Sequence, residues 1–454
     1  MAHLSRRHIL GGAAAGSLLP SAATAQARIN PPLDTSIKKV DRIWVNVPFR
    51  EVPKRNMVRE LPHWTYFEIC KVTLACGVQG FGEAMVYYGG RPLEDATIAR
   101  VMGKKAAEVM WDDSLGHGLQ QALFDAVGKA NDVPVHSLLG RKFRDRAFVS
   151  WWAIDMSGSD WVLECRDAIA GGYTDFKTKA RPWFDLDEQC RVLTATLPKH
   201  FKIDFDFNAM LLDTANAVAY CTSLEKYHHI AIWESPIPQG DVEGNQLLRK
   251  RTRIPIAHHF GSPPIQTALR EEVCDGFVIG GGASRVMNDA TIAASADKPF
   301  WLQLVGTGIT ATFSLHCGAV LSHARWPAVN CHQLYTHQMI KPAMTVFNGS
   351  AAVPEGPGLG VALDDDAVER FRISPLKERP YPAPGLLIAI RWPSGATSYY
   401  THTRQYWDDF LLGRLPVFPP GVFLETVPDN GSREWKELQA RAARAAVHSR
   451  GRPL

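Results

Sequence analysis

Between Arg144 and about residue 335 one short pattern recurs eight times: an apolar strand, then an amphipathic stretch. The strands fall near 147–153, 174–179, 201–207, 230–234, 254–258, 275–279, 299–304 and 328–334. Between them, segments such as Asp187 to Leu197 and Thr214 to Tyr227 carry helical periodicity. Strands separated by helices require parallel pairing, and eight of them predict a closed (β/α) barrel. The alternative is an open doubly wound sheet. No Gly-x-Gly-x-x-Gly opens the first unit, which weakens a dinucleotide-binding version of that fold.

The flanks differ from the barrel. Residues 37 to about 90 read as strands: Phe67 to Leu74 alternates, and Gly77-Val78-Gln79-Gly80 turns the chain. Residues from about 92 to 140 read as helical. Leu119 to Val127 places apolar residues at helical spacing, and Gly140 is the stop. This predicts an α+β domain before the barrel. The turn-rich run Val353 to Gly360 ends the barrel region. A strand near Leu386 to Arg391 and an Ala- and Arg-rich helix near Arg433 to His448 follow, with no chemistry assigned to them.

The first 27 residues read as an address. Arg6-Arg7 precede a mild Gly/Ala-rich run to Leu19, and Ala23-Thr24-Ala25 or Ala25-Gln26-Ala27 offers small residues for cleavage. Paired arginines before a weak apolar segment predict twin-arginine export, hence a periplasmic or secreted protein. No later segment reaches about 18 apolar residues, so no membrane span is expected after signal removal. A net charge of +4 over 454 residues, without a basic cluster, argues against a nucleic-acid partner. The eight cysteines form no Cys-x-x-Cys pair and no zinc-finger spacing, and read mostly as buried thiols.

In a barrel, chemistry sits at the C-terminal ends of the strands. The second strand ends Lys177-Thr178-Lys179, with both lysines on one side. The third runs Asp204-Phe205-Asp206-Phe207-Asn208, the fourth ends Trp233-Glu234-Ser235-Pro236, and the fifth ends Ala257-His258-His259. Unpaired charge inside a barrel is costly. A divalent cation held by the carboxylates explains this cluster, and an internal salt-bridge network is the alternative.

These residues resemble a known family. The order Lys177-x-Lys179, Asp206-x-Asn208, Trp233-Glu234-x-Pro236 is similar to the mandelate racemase and muconate lactonizing enzyme branch of the enolase superfamily. Gly80-Phe81-Gly82-Glu83-Ala84 resembles the end of that family's first hairpin, Ala126 to Gly140 its helical cap, and Pro354 to Gly360 its closing turn. The resemblance covers roughly residues 37 to 365 and implies an α/β fold: a (β/α)7β TIM-like barrel under an N-terminal α+β capping domain. The division expected is 1–27 signal peptide, 28–144 cap, 145–335 barrel, and 336–454 a C-terminal segment returning to the cap plus an extension. It also implies Mg²⁺ on acids at the ends of strands three to five, with the carboxylate of a small acidic substrate on that ion. Removal of the α-proton then gives an enediolate whose charge the ion stabilises. By position Lys179 would be the base and Lys177 its electrostatic neighbour, a nearby cation favouring the neutral amine.

The sequence also departs from the family. Asp206 and Glu234 take the first two metal positions, but at strand five the acid is replaced by His259, with His258 as the fallback or a substrate contact. Imidazole suits Mn²⁺, Zn²⁺ or Fe²⁺ better than Mg²⁺. No histidine stands on strand seven and no lysine on strand six, which disfavours two-base racemisation. Asp275 and His332 are the candidate replacements for the missing catalytic groups. The cap loops near Phe49 to Pro62 and Met85 to Arg91 offer Arg59, Tyr87 and Tyr88, beside Asn208, for a sugar acid. The expectation is therefore a metal-dependent lyase, a dehydratase of a hydroxylated or sugar carboxylic acid, assembled as a homo-oligomer. The alternatives are a non-catalytic ligand-binding descendant and an enzyme with altered metal-site chemistry.

Overall fold

Three alternating strands open the structure: β1 (Ile37–Asn46), β2 (Tyr66–Leu74) and β3 (Gln79–Met85), an antiparallel sheet in sequence order. Phe67, Ile69, Val72 and Leu74 of β2 are fully buried. The helix His117–Ala130 packs across β3. Gly80 and Gly82 permit that approach, because a Cβ on either would strike the helix backbone at Ala122 or Gly118. The computed structural model describes residues 33–450. The twin-arginine segment, residues 1–27, lies outside the described residues.

The barrel strands are β4 (Arg146–Ala153), β5 (Asp175–Lys179), β6 (Lys202–Asp206), β7 (Ile230–Glu234), β8 (Ile256–His259), β9 (Gly276–Ile279), β10 (Phe300–Leu302) and β11 (Ala328–Val329). β4 to β10 pair in sequence order, all in parallel. β11 pairs in parallel with β4, and a bridge from Gln303 to Val329 closes the ring. A helix follows each of β4 to β10, which makes seven βα units and a final strand. Strands buried on both faces carry nearly continuous apolar runs, as at Ile230, Ile232 and Trp233. The fold is a (β/α)7β barrel with an N-terminal cap.

One buried carboxylate ties cap to barrel. Glu83, on β3, accepts hydrogen bonds from Thr307 N at 2.6 Å, Thr307 Oγ1 at 2.6 Å and Thr310 N at 3.0 Å, at the start of the helix Gly308–Val320. Anions are favoured at that end of a helix. After the barrel, Leu359 N donates to Asp125 Oδ1 at 2.8 Å and Lys71 pairs with Asp365 at 2.6 Å, so the chain returns to the cap. An antiparallel sheet then forms in the order Phe423–Thr426, Ile388–Arg391, Thr397–Tyr400, Val447–Ser449. The last helix stops at Ala442, short of the expected His448, because Val447–Ser449 pairs as an edge strand with Thr397–Tyr399. All eight cysteines are free thiols, and all but Cys76 are buried. No helix among the described residues is long and apolar enough to cross a membrane.

Candidate active site

The strand register sets the site. On neighbouring strands Lys179 stands opposite Asp206, and Asp206 opposite Glu234; Lys177 stands one step deeper, opposite Asp204. Side chains two residues apart share a face, so these groups converge inside the barrel. Lys177 Nζ makes a close ion pair with Glu234 Oε2 and lies 3.9 Å from Asp206 Oδ2. Lys179 Nζ pairs closely with Asp206 Oδ2 and donates to Asn208 Oδ1 at 3.1 Å. His259 Nε2 lies 3.1 Å from Glu234 Oε1. The Lys177 ammonium also sits 5.1 Å from the centre of the Trp301 ring. The backbone turns left-handed just past both acids, at Asn208 (φ 46°) and Ser235 (φ 45°). Strained positions of this kind collect at functional sites.

Charge compensation decides the protonation states. The Lys177, Asp206 and Glu234 side chains are each 1% exposed. Burial opposes the charge of Lys177, but Glu234 and Asp206 outweigh it and raise its pKa, so Lys177 stays an ammonium. Burial likewise opposes the Glu234 carboxylate, yet Lys177 and then His259 hold its pKa well below the usual range. Asp204, deeper in the barrel, is pushed well above the usual carboxylate range by burial and by Asp175.

A cavity of about 350 Å³ opens over this layer, lined by Lys177, Lys179, Asn208, Trp152, Tyr88 and Gln303, among others. His259 opens on an adjoining cavity of about 420 Å³, which shares Tyr88 and Gln303 with the first. Gln303 Nε2 donates to Tyr88 Oη at 3.3 Å, and burial raises the Tyr88 phenol to about 12. A larger depression of about 600 Å³ on the cap, near Arg91 and His117, contains none of these ionic groups.

Three groups on the cavity wall escaped the sequence reading: Glu60, Arg181 and Trp407. Arg181 continues the Lys177, Lys179 spacing by two more residues, and that signal was present in the sequence. It is 2% exposed, and its Nη2 donates to Asn208 Oδ1 at 2.8 Å. Its guanidinium lies 5.0 Å from the Trp407 ring, on the helix Thr403–Leu411 of the C-terminal extension. Nothing local marks Trp407 or Glu60, because only the folded chain brings the extension and the cap loop to the mouth.

Several expected groups lie elsewhere. Arg59 is buried and pairs with Asp155 at 3.0 Å, behind the wall rather than in the cavity. Tyr87 turns away, its hydroxyl donating to Glu378 O at 3.1 Å. His258 points out of the barrel, its Nε2 3.1 Å from Asn245 Oδ1, and burial lowers it to about 4. The parity of β8 thus turns His259, not His258, toward Glu234. Asp275 precedes β9 at the opposite end of the barrel. It pairs with Arg249 at 2.7 Å and accepts from Ile256 N at 2.9 Å, so it does not reach the mouth. His332 is fully buried, with Nε2 2.9 Å from Tyr173 Oη, and burial lowers it to about 4. Neither Asp275 nor His332 is placed to serve the mouth as a catalytic acid.

The donors fit a divalent cation in kind. Asp206 and Glu234 are adjacent buried carboxylates, and neither Glu234 oxygen receives a well-aligned hydrogen bond. Lys177 and His259 meet those two oxygens as ion-pair partners, and clustered carboxylate oxygens are the donor type a hard divalent cation takes. Among the described residues, no group of three His, Cys, Asp or Glu side chains is preassembled as a ligand set. The same carboxylates pair with Lys177 and Lys179.

A capped parallel barrel with a lysine–carboxylate layer at its strand ends defines an enzyme-like site with acid–base groups beneath a cavity. The family model described as enolase C-terminal domain-like matches residues 160–367. A chloromuconate cycloisomerase of Cupriavidus pinatubonensis is 25% identical over 297 residues, covering 62% of this chain and 78% of that protein. A D-galactonate dehydratase of Xanthomonas oryzae pv. oryzae is 26% identical over 361 residues, covering 69% and 92%. The solved muconate lactonizing enzyme from Pseudomonas fluorescens, complexed with muconolactone, aligns with a TM-score of 0.63 at 21% identity, over 75% of this chain and all of that one. These matches support the enolase superfamily, in its mandelate racemase and muconate lactonizing enzyme branch, as the family this chain resembles.

Proposed function

We propose that this protein is a metal-assisted lyase that dehydrates a hydroxylated carboxylic acid, with sugar acids the first class to test. The observation that carries the reading is the layer Lys179–Asp206–Glu234, in register at the strand ends beneath a cavity. Asp206, Glu234 and His259 would hold the divalent ion, whose chemistry is to polarise a substrate carboxylate and stabilise charge developing at the α-carbon. Lys179 is the base. It lines the cavity and keeps 18% of its side chain exposed, whereas Lys177 is held as an ammonium by Glu234. Lys177 supplies fixed positive charge beneath the reacting carbon. Asn208 holds Lys179 and Arg181 together, and Trp152 and Tyr88 wall the substrate from bulk water. The dehydratase among the relatives supports elimination, and the lack of a strand-seven histidine favours one-base chemistry.

A ligand-binding descendant is the second reading, favoured by one feature: both carboxylates are already balanced by lysines. Metal analysis of protein purified without chelators, paired with a screen of hydroxy and sugar acids for 2-oxo acid formation, separates the two. About one divalent ion per chain and one acid consumed supports the lyase; no metal under any loading and no turnover leaves the binding protein. We also propose twin-arginine export. Replacing Arg6 and Arg7 by Lys should retain the precursor in the cytoplasm, and unchanged delivery would overturn that proposal.

A further inference from the structure

Elimination needs a second proton carrier, because hydroxide is a poor leaving group unless protonated as it departs. At the barrel mouth His259 is taken up as the third metal ligand, and the other candidates among the described residues do not serve. Lys177 is locked to Glu234, Asp275 lies at the far end, and His332 is sequestered by Tyr173. The cap does offer one.

We infer that Glu60, delivered by the capping domain, is the general acid that protonates the departing hydroxyl. The inference rests on the lyase reading above. Glu60 lines the same cavity as Lys177 and Lys179. Its side chain is 13% exposed, and its buried Oε2 has no hydrogen-bond partner. The nearest guanidinium nitrogens are both 4.0 Å away, from Arg59 to Oε2 and from Arg181 to Oε1, too far for a hydrogen bond. A carboxyl so placed is biased toward its protonated form. Burial and then Asp155 push its pKa up, against the opposing charges of Arg181, Arg59 and Lys179. Tyr406 and Tyr381, from the C-terminal region, are the other titratable groups facing it. That region also fixes the loop: Thr403 Oγ1 donates to Arg59 O at 2.7 Å. The extension thus gains a role, to seal and position the acid.

The step balances. The neutral Lys179 amine takes the α-proton, and the electron pair left on Cα forms the Cα=Cβ bond. The Cβ–O bond breaks, and the hydroxyl leaves with the Glu60 proton as water. Where Cα carries a hydroxyl, the enol product tautomerises to a 2-oxo acid. One proton passing through solvent from the Lys179 ammonium to the Glu60 carboxylate resets the site.

The test compares wild type with Glu60→Gln, on the acid found in the screen and on its analogue with fluoride in place of the β-hydroxyl. Fluoride departs without a proton. The variant should lose kcat on the hydroxy acid by about 100-fold or more, and on the fluoro acid by less than about 10-fold. Exchange of the substrate α-proton in D₂O should persist. Equal losses on both substrates, unchanged kcat on the hydroxy acid, or loss of exchange would overturn the role of Glu60 and leave the lyase reading standing. A wild type that neither exchanges the α-proton nor eliminates would sink both. Circular dichroism checks the variant's fold. Should it unfold, the wild-type pH profile decides: the limb reporting a required acid should appear with the hydroxy acid and vanish with the fluoro acid. The same limb with both acids would overturn the assignment.

Discussion

Replacing Lys177 by Met removes the cation that touches Glu234 and lies 3.9 Å from Asp206. Glu234 then keeps His259 Nε2, at 3.1 Å, as its close side-chain partner. Breaking a buried pair in this way costs about 3–5 kcal/mol, chiefly from the stranded charge. Met fills much of the lysine volume beside Trp301 and returns roughly 1 kcal/mol of that through apolar contact. A net loss near 3 kcal/mol should therefore appear in urea unfolding at pH 7 with a chelator present. The double variant Lys177→Met, Glu234→Gln removes both charges. It should be less destabilised than the two single changes summed, by about 2 kcal/mol. A divalent cation at about 100 times its dissociation constant should restore roughly 2.7 kcal/mol to the single variant. Single changes that add to within about 0.5 kcal/mol would show that Lys177 and Glu234 are not energetically coupled and refute the charge-layer reasoning.

Two further outcomes separate binding from structure. His259→Ala should weaken divalent metal binding by about tenfold or more, near 1.4 kcal/mol by calorimetry. His258→Ala should leave metal affinity alone but cost about 1–3 kcal/mol of stability, because Asn245 loses its buried partner; the reverse pattern would assign the ligand role to His258. Burial lowers His316 and His332 to about 4 in the folded state. The unfolded chain therefore binds protons that the folded one does not between about pH 6.5 and 4. Their contribution is complete above that window and is lost as pH falls through it, at most about 3 kcal/mol per histidine. Replacing His332 by Gln should flatten the acid limb of the stability curve; an unchanged limb would show that His332 carries no such linkage.

The barrel was legible because it is local: each strand and helix announces itself by period, and the C-terminal-end rule then points to Lys177, Lys179, Asp206 and Glu234. Strand parity alone chooses between His258 and His259, but only once the end of β8 is fixed. Asp275 misled because a single acid near a short strand does not reveal which end of the strand it occupies. His332 misled because burial and a tyrosine partner are tertiary facts. Arg59 and Tyr87 lie on the expected loops, yet Asp155 and Glu378 claim their polar atoms. Glu60 and Trp407 are separated by hundreds of residues and meet only because the extension docks on the cap loop, which no periodicity encodes.

The most direct test follows the α-proton. Metal-loaded wild type incubated in D₂O with an accepted acid should exchange the α-proton and release the 2-oxo acid. Lys179→Met should bind the same metal and lose both reactions by about a thousandfold or more. Exchange that continues at the wild-type rate in that variant would mean Lys179 is not the base, and the assignment of chemistry to this barrel mouth would be wrong.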